Sequence, residues 1–438
     1  ERGQVESQIR MSSPRYAALT QPQPLSAKDI QQMLDGDTLL LEYSLGEKRS
    51  YVWAVTQNDV KAYELPGRAE IEKAAGEVYK ILTPPESAVV QSDSQRKAEF
   101  NQKADALSQL ILKPVANDLG NKRLVIVADG ILQYIPFSVL PKPQTAKLNG
   151  QPARDSKTDI AANQVPLIYD HEIVNLPSAS TLAVIRRETG GRKPAPKAVA
   201  VIADPVFETS DLRLLSVNGR SSLAASNQAA SDSLSQAREN LTRGGSFKRL
   251  YGTLKEAKAI EELTNPAERF IAKDFDADLK RATSAELSQY RIIHFATHGV
   301  LDGDNPNLSA LVFSLFDKLG KPQNGYLYLH DIYKLNLPAE LVVLSACDTA
   351  LGKEFKGEGL VGLTRGFMYA GAPRVMASLW KVGDEPTAKL MREFYRYHLK
   401  DGLPPAAALR QAQIKLYQDS DWNAPYYWGS FVLQGEWK

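Results

Sequence analysis

Short unbroken apolar runs alternate with stretches of helical spacing along most of this chain. Thr38–Ser44 and Ser50–Thr56 are apolar, β-branched runs joined by Leu45-Gly46-Glu47-Lys48-Arg49, and glycine in such a polar connection predicts a hairpin. Ahead of them, residues 3–35 read as helical around a break at Gln21-Pro22-Gln23-Pro24. Ser26 stands as the N-cap of a short helix, with Asp29 at its third position. Amphipathic spacing predicts helices over 68–82 and 94–118, and Leu124–Ala128 reads as a buried strand ending at Asp129-Gly130. A Pro/Lys/Gln-rich loop over 141–163 precedes a strand at 172–176 and a helix at Ser180–Arg187.

A second unit opens after Gly190-Gly191-Arg192-Lys193-Pro194, which sets expected domains at 1–188 and 189–438. Ala198–Ala203 is a strand ending in Asp204-Pro205. The stretch 208–247 turns to Ser, Ala, Asn, Gln and Arg without periodicity, too polar to order itself, and predicts a flexible loop. Its arginines, Arg213, Arg220, Arg238 and Arg243, mark it as a candidate activation or autoprocessing loop. Helices at 253–264, 277–288, 359–370, 384–399 and 404–418 then alternate with apolar runs at 269–272, Arg291–Ala296, Leu311–Phe316, Leu341–Ser345 and Val375–Trp380. That alternation predicts βαβ units and a mostly parallel sheet, with ligands beyond the carboxyl ends of the strands.

Composition narrows the class. The 438 residues carry 53 Lys+Arg against 51 Asp+Glu, a net charge of +2 without a basic run, so direct nucleic-acid binding is not expected. No apolar run reaches the length of about 18 residues that a membrane span needs. The polar start, Glu1-Arg2-Gly3-Gln4, shows no signal peptide and reads as a piece of a longer chain, so a cytoplasmic protein is expected. One cysteine, Cys347, leaves no intramolecular disulfide and no thiolate zinc cluster.

That cysteine follows Leu341–Ser345 closely, as His298 follows Arg291–Ala296, and the two stand 49 residues apart. Were those strands parallel neighbours, both side chains would lie on one rim of the sheet. A thiol needs a base to become a thiolate near neutral pH, and imidazole takes and returns that proton. Gly299 beside the histidine permits close backbone approach to a reacting carbonyl. Base rates favour blander roles, a cysteine packed as a small apolar residue and a histidine held by hydrogen bonds. His294 and His298 make an H-x-x-x-H spacing, but on a strand and without the Glu of H-E-x-x-H, so no metal is expected. Gly357-Glu358-Gly359-Leu360-Val361-Gly362 fits G-x-G-x-x-G yet lies too far from its strand for a dinucleotide site, and no cofactor is expected.

His294-Phe295-Ala296-Thr297-His298-Gly299 and Leu344-Ser345-Ala346-Cys347-Asp348-Thr349-Ala350-Leu351-Gly352 resemble the signature of the CHAT family, caspase-like clan CD cysteine peptidases often carried behind tetratricopeptide repeats. Val125–Leu140, Tyr251-Gly252-Thr253, Gly371-Ala372-Pro373-Arg374-Val375 and Tyr427-Trp428-Gly429-Ser430-Phe431 are similar to family stretches as well. The spacing matches the caspase arrangement, with histidine about 50 residues ahead of cysteine. The resemblance implies a three-layer α/β/α fold with a mostly parallel central sheet, preceded by a degenerate, pseudo-caspase-like α/β lobe. It implies Cys347 as nucleophile, His298 as base, and the backbone N–H groups of Gly299 and Cys347 as oxyanion hole. A protein substrate and an upstream tetratricopeptide or sensor partner follow from it, in a bacterial defence or cell-death setting.

Animal caspases carry Q-A-C-[RQG]-G where this chain has Ser345-Ala346-Cys347-Asp348-Thr349, so cleavage after aspartate is not carried over. In related clan CD folds the pocket for the residue before the scissile bond (P1) is built at the positions of Asp204, Ser345 and Ser378–Lys381. A carboxylate at Asp204 would select Arg or Lys at P1; the alternative is that Asp-Pro closes a turn. Trp380 is a candidate wall of the neighbouring subsite or a core side chain. Asp348 is a candidate substrate contact or a cap. The reading set against the peptidase is a catalytically silent scaffold of the same fold.

Overall fold

The hairpin expected near the N-terminus forms, with β1 (Thr38–Ser44) antiparallel to β2 (Ser50–Val55). The helix before it carries the expected cap: the Ser26 hydroxyl accepts from the Asp29 N–H, and the Asp29 carboxylate accepts from the Ser26 N–H. The computed structural model describes residues 24–84, 93–143, 165–214, 247–302, 305–345 and 359–438. They gather into two compact units, Glu1–Glu188 with Gly402–Lys438, and Thr189–Asp401.

In the first unit β3 (Val60–Leu65) adds to β2 as an antiparallel edge strand. On the other side β1 pairs in parallel with β4 (Arg123–Val127), β4 with β5 (Ile173–Asn175), and β5 with the C-terminal strand Phe431–Gly435. The helix expected over 94–118 runs from Asp93 to Ile111 and stops ahead of Pro114, which lacks the N–H that would continue it. Residues 402–438, read in sequence as the end of the second domain, belong to this first unit. Arg186 grips Glu436 through Nε and Nη2, at 2.5 and 3.0 Å, Arg410 donates to the carbonyls of Ile168 and Tyr169, and the C-terminal strand lies beside β5.

The second unit is built on β6 (Lys197–Pro205), β7 (Arg269–Asp274), β8 (Tyr290–Ala296), β12 (Leu341–Ser345) and β13 (Arg374–Ser378). Every pairing among them is parallel, in the order β13-β12-β8-β6-β7. The inner strands are buried along nearly their whole length, which is why they read as unbroken apolar runs rather than alternating ones. A meander of three short strands, β9 (His298–Val300), β10 (Ala310–Val312) and β11 (Tyr326–Tyr328), stands apart from this sheet. The helix expected over 277–288 is split into Leu279–Ala282 and a 3-10 turn, Ala285–Gln289, because the Ser284 hydroxyl starts a new cap on the Glu286 N–H.

The chain leaves β6 through the helix Tyr251–Leu263 to β7 on one side, then returns to lay β8 on the other. The strand order therefore reverses between β6 and β8, and ligands of open α/β sheets bind at the carboxyl ends of such a pair. Asp204 ends β6, and His298 lies two residues past β8.

Candidate active site

Strands β8 and β12 are the parallel neighbours that the reading of His298 and Cys347 required, with Phe295 beside Leu344 and Ala296 beside Ser345. The Thr297 N–H donates to the Ser345 carbonyl at 3.2 Å, extending the ladder past the end of β8. His298 thus leaves the sheet where β12 ends. Cys347 and Asp348, within 346–358, lie outside the described residues.

His298 is buried between two aromatic rings, Phe207 at 4.8 Å and Phe247 at 5.2 Å between centroids. Its Nε2 lies 2.7 Å from the Lys248 carbonyl oxygen. A carbonyl only accepts, so Nε2 carries the proton and, in the neutral ring, Nδ1 is the basic nitrogen. Gly299 follows on β9, buried and opposite Leu311 of β10.

Asp204 has φ of 52°, the left-handed region that a non-glycine residue enters at a cost and that Asp tolerates better than most. Its N–H donates to the Thr253 hydroxyl at 3.0 Å. The carboxylate is 0% exposed and is held bidentately by Arg249, from Nε at 2.8 Å and Nη2 at 2.6 Å. Arg213 adds a contact at 3.2 Å and also binds Asp211 and Asp274. The hydrogen bonds that Arg249 donates to Asp204 raise its pKa above the ordinary range, against a smaller effect of burial. Burial pushes the Asp211 carboxyl up, but its bonds to Arg213 outweigh that and hold it below the usual range.

Sequence reasoning did not find Lys248, Phe247 or Arg249. The available signal was Asp204 itself, since a carboxylate ending a buried strand demands a cationic partner.

Of the other site candidates, Ser345 donates its hydroxyl to Glu256 Oε1 at 3.1 Å. Ser378 donates to the Trp380 carbonyl at 2.7 Å, and the Trp380 side chain is enclosed, the residue being 1% exposed. Phe207, three residues past Asp204, packs on His298, so the end of β6 and the histidine share one cluster. Of the stretch 208–247, expected as a flexible loop, residues 215–246 lie outside the described residues, while Leu214 and Phe247 at its ends are buried. Among the described residues no group of His, Cys, Asp and Glu is placed to hold a metal ion, and no helix is long and apolar enough to cross a membrane.

A parallel α/β unit with a histidine past the strand next to its switch point agrees with a caspase-like fold. A chain of the Saccharomyces cerevisiae separase–securin complex shares it, with a TM-score of 0.50 and 11% identity over 97% of this chain and 31% of that one. The profile of the CHAT domain matches residues 101–436, and this chain belongs to the CHAT domain family, a family of caspase-like protease fold. Tetratricopeptide repeat protein 28 of Homo sapiens is 34% identical over 105 residues, and that of Mus musculus 35% over the same length. These matches cover 24% of this chain and only 4% of either relative.

Proposed function

We propose that this protein is a cysteine endopeptidase in which Cys347 is the nucleophile and His298 the base. The observation that carries the reading is the Lys248 carbonyl on His298 Nε2, which assigns the basic lone pair to Nδ1 on the strand adjoining the one that runs into Cys347. In the proposed reaction the Cys347 thiol gives its proton to His298 Nδ1, and the thiolate attacks the scissile carbonyl carbon. A carbon–sulfur bond forms, and the N–H groups of Gly299 and Cys347 stabilise the oxyanion. His298 then protonates the leaving nitrogen as the carbon–nitrogen bond breaks. Water, deprotonated by the same histidine, hydrolyses the thioester and restores Cys347.

The proposed P1 residue is Arg or Lys. Support comes from the Asp204 carboxylate, which already takes a guanidinium bidentately, so a substrate arginine would replace the side chain of Arg249. Ser345, Asp348 and Ser378 are the remaining proposed substrate contacts, and the enclosed Trp380 is proposed as the core side chain that was its alternative. The proposed setting is a cytoplasmic bacterial defence or cell-death pathway in which an upstream tetratricopeptide or sensor partner controls cleavage of a protein substrate. Likeness to the tetratricopeptide repeat proteins supports that partner. The first unit is proposed as a pseudo-protease-like support.

Iodoacetamide labelling of Cys347 at neutral pH tests the reading. Fast alkylation that His298→Ala slows supports the dyad, and an inert thiol favours the silent scaffold. Peptide-library hydrolysis that Cys347→Ala abolishes supports an endopeptidase.

A further inference from the structure

A polar chain lies buried behind the end of β12, and the dyad makes no use of it. Val343 pairs with His294 across β12 and β8, so His294 and Ser345, two residues past Val343, occupy one face of the sheet. Two helices cover that face with polar groups. From Tyr251–Leu263 comes Glu256, whose Oε1 accepts from the Ser345 hydroxyl at 3.1 Å and whose Oε2 lies 3.2 Å from His294 Nε2. From Asp384–Tyr395 comes Tyr395, whose hydroxyl lies 2.9 Å from His294 Nδ1. Glu256 is 2% exposed, while His294 and Tyr395 are both 0% exposed.

Glu256 Oε2 and His294 Nε2 have no hydrogen-bond partner among the described residues, so each has only the other. A carboxylate oxygen only accepts, so the tautomer with its N–H on Nε2 is the one that turns a donor toward Glu256. Burial, reinforced by the charge of Glu256, keeps the Tyr395 phenol protonated. An apolar trio of similar volume would pack here with less desolvation, so the arrangement calls for a purpose beyond filling space. Among the described residues it ends on Ser345, two residues before Cys347 in the sequence.

We propose that Glu256 is a positioning residue. His294, braced by Tyr395, holds the carboxylate, and the carboxylate holds the Ser345 hydroxyl and with it the point from which the nucleophile-bearing segment departs. This assignment rests on the cysteine-peptidase reading of Cys347 and His298. It adds the first histidine of His294-Phe295-Ala296-Thr297-His298 to the site as a structural anchor rather than a second base.

The test is alkylation of Cys347 by iodoacetamide in the full chain, with melting temperature measured in parallel. Glu256→Gln can still accept from Ser345 and donate to His294 Nε2, so it is expected to alkylate within about threefold of wild type. Glu256→Leu preserves volume but makes neither bond. It and Ser345→Ala are expected to melt near wild type and alkylate about tenfold slower, the scale on which small misplacements act. Wild-type rates in both Glu256→Leu and Ser345→Ala would overturn the assignment, as would a Glu256→Gln as slow as Glu256→Leu. Should Glu256→Leu fail to fold, Ser345→Ala decides alone. A wild-type rate no faster than that of His298→Ala would overturn the peptidase reading and this assignment together. A fast, His298-dependent rate that ignores Glu256 and Ser345 would remove only the latter.

Discussion

Lys248 presents its carbonyl oxygen to Nε2 of His298 at 2.7 Å, and the next residue, Arg249, is locked onto the buried carboxylate of Asp204. The salt bridge and the tautomer of the histidine are therefore coupled through one peptide unit. Arg249→Ala should have two separable effects. Loss of the anchor should lower kcat by about tenfold, the cost of a loosely oriented base. Removing the bidentate partner, with only the 3.2 Å contact from Arg213 left on the carboxylate, should lower KM for peptides with P1 Arg. Steady-state kinetics on P1 Arg and P1 Asp peptides check both effects, and a preference for the Asp peptide would refute basic P1 selection.

The stretch 208–247 supplies a second prediction, drawn from its composition and from Arg220, Arg238 and Arg243, since Arg213 is held by Asp204, Asp211 and Asp274. Wild-type protein incubated alone should accumulate fragments cut after an arginine in this stretch, and Cys347→Ala should remain whole. Mass spectrometry of the fragments reads the cut sites. Identical patterns in the two proteins would show that the nicking belongs to a contaminating protease.

How much of this was legible in advance follows from what each residue is buried against. Strands β8 and β12 announce themselves because both faces are covered, which demands unbroken apolar runs. Edge strand β3 went unread, since Val60-Lys61-Ala62-Tyr63-Glu64-Leu65 is exposed for most of its length and little burial shapes it. His298 was legible from its place past a buried strand and from the family resemblance. Glu256 was not, because a single glutamate on an amphipathic helix looks like any solvated one until the sheet behind it is known. The same holds for 402–438, whose place in the first unit depends on Arg186–Glu436 and the pairing with β5, contacts remote in sequence.

Gly252 packs where the helix carrying Glu256 meets the helix Asp384–Tyr395, and a Cβ there would stand 2.7 Å from the Cα of Asp384. Alanine favours a helix over glycine by about 1 kcal/mol, whereas overpacking against backbone costs about 1–3 kcal/mol, so the clash is expected to win. Gly252→Ala should lower the melting temperature by a few degrees and slow Cys347 alkylation, because Thr253 and Glu256 ride on the displaced helix. A variant more stable than wild type would show that the two helices separate freely.

His171 tests the first unit. Its Nδ1 donates to the Lys122 carbonyl at 2.8 Å, while its buried Nε2 has no hydrogen-bond partner among the described residues. Burial holds its pKa below the ordinary histidine value, and the bond to Lys122 only partly offsets that. The folded state therefore keeps the ring neutral, whereas the unfolded chain takes up a proton near pH 6.5. Below that pH the unfolded state binds more protons, so stability falls on acidification, by at most about 1.4 kcal/mol per pH unit for this one site. His171→Asn keeps a donor for the Lys122 carbonyl and cannot titrate in this range. Urea unfolding between pH 7.5 and 5 should show a shallower loss of stability in His171→Asn than in wild type, and parallel curves would mean that His171 takes up its proton as readily in the fold as in the unfolded chain.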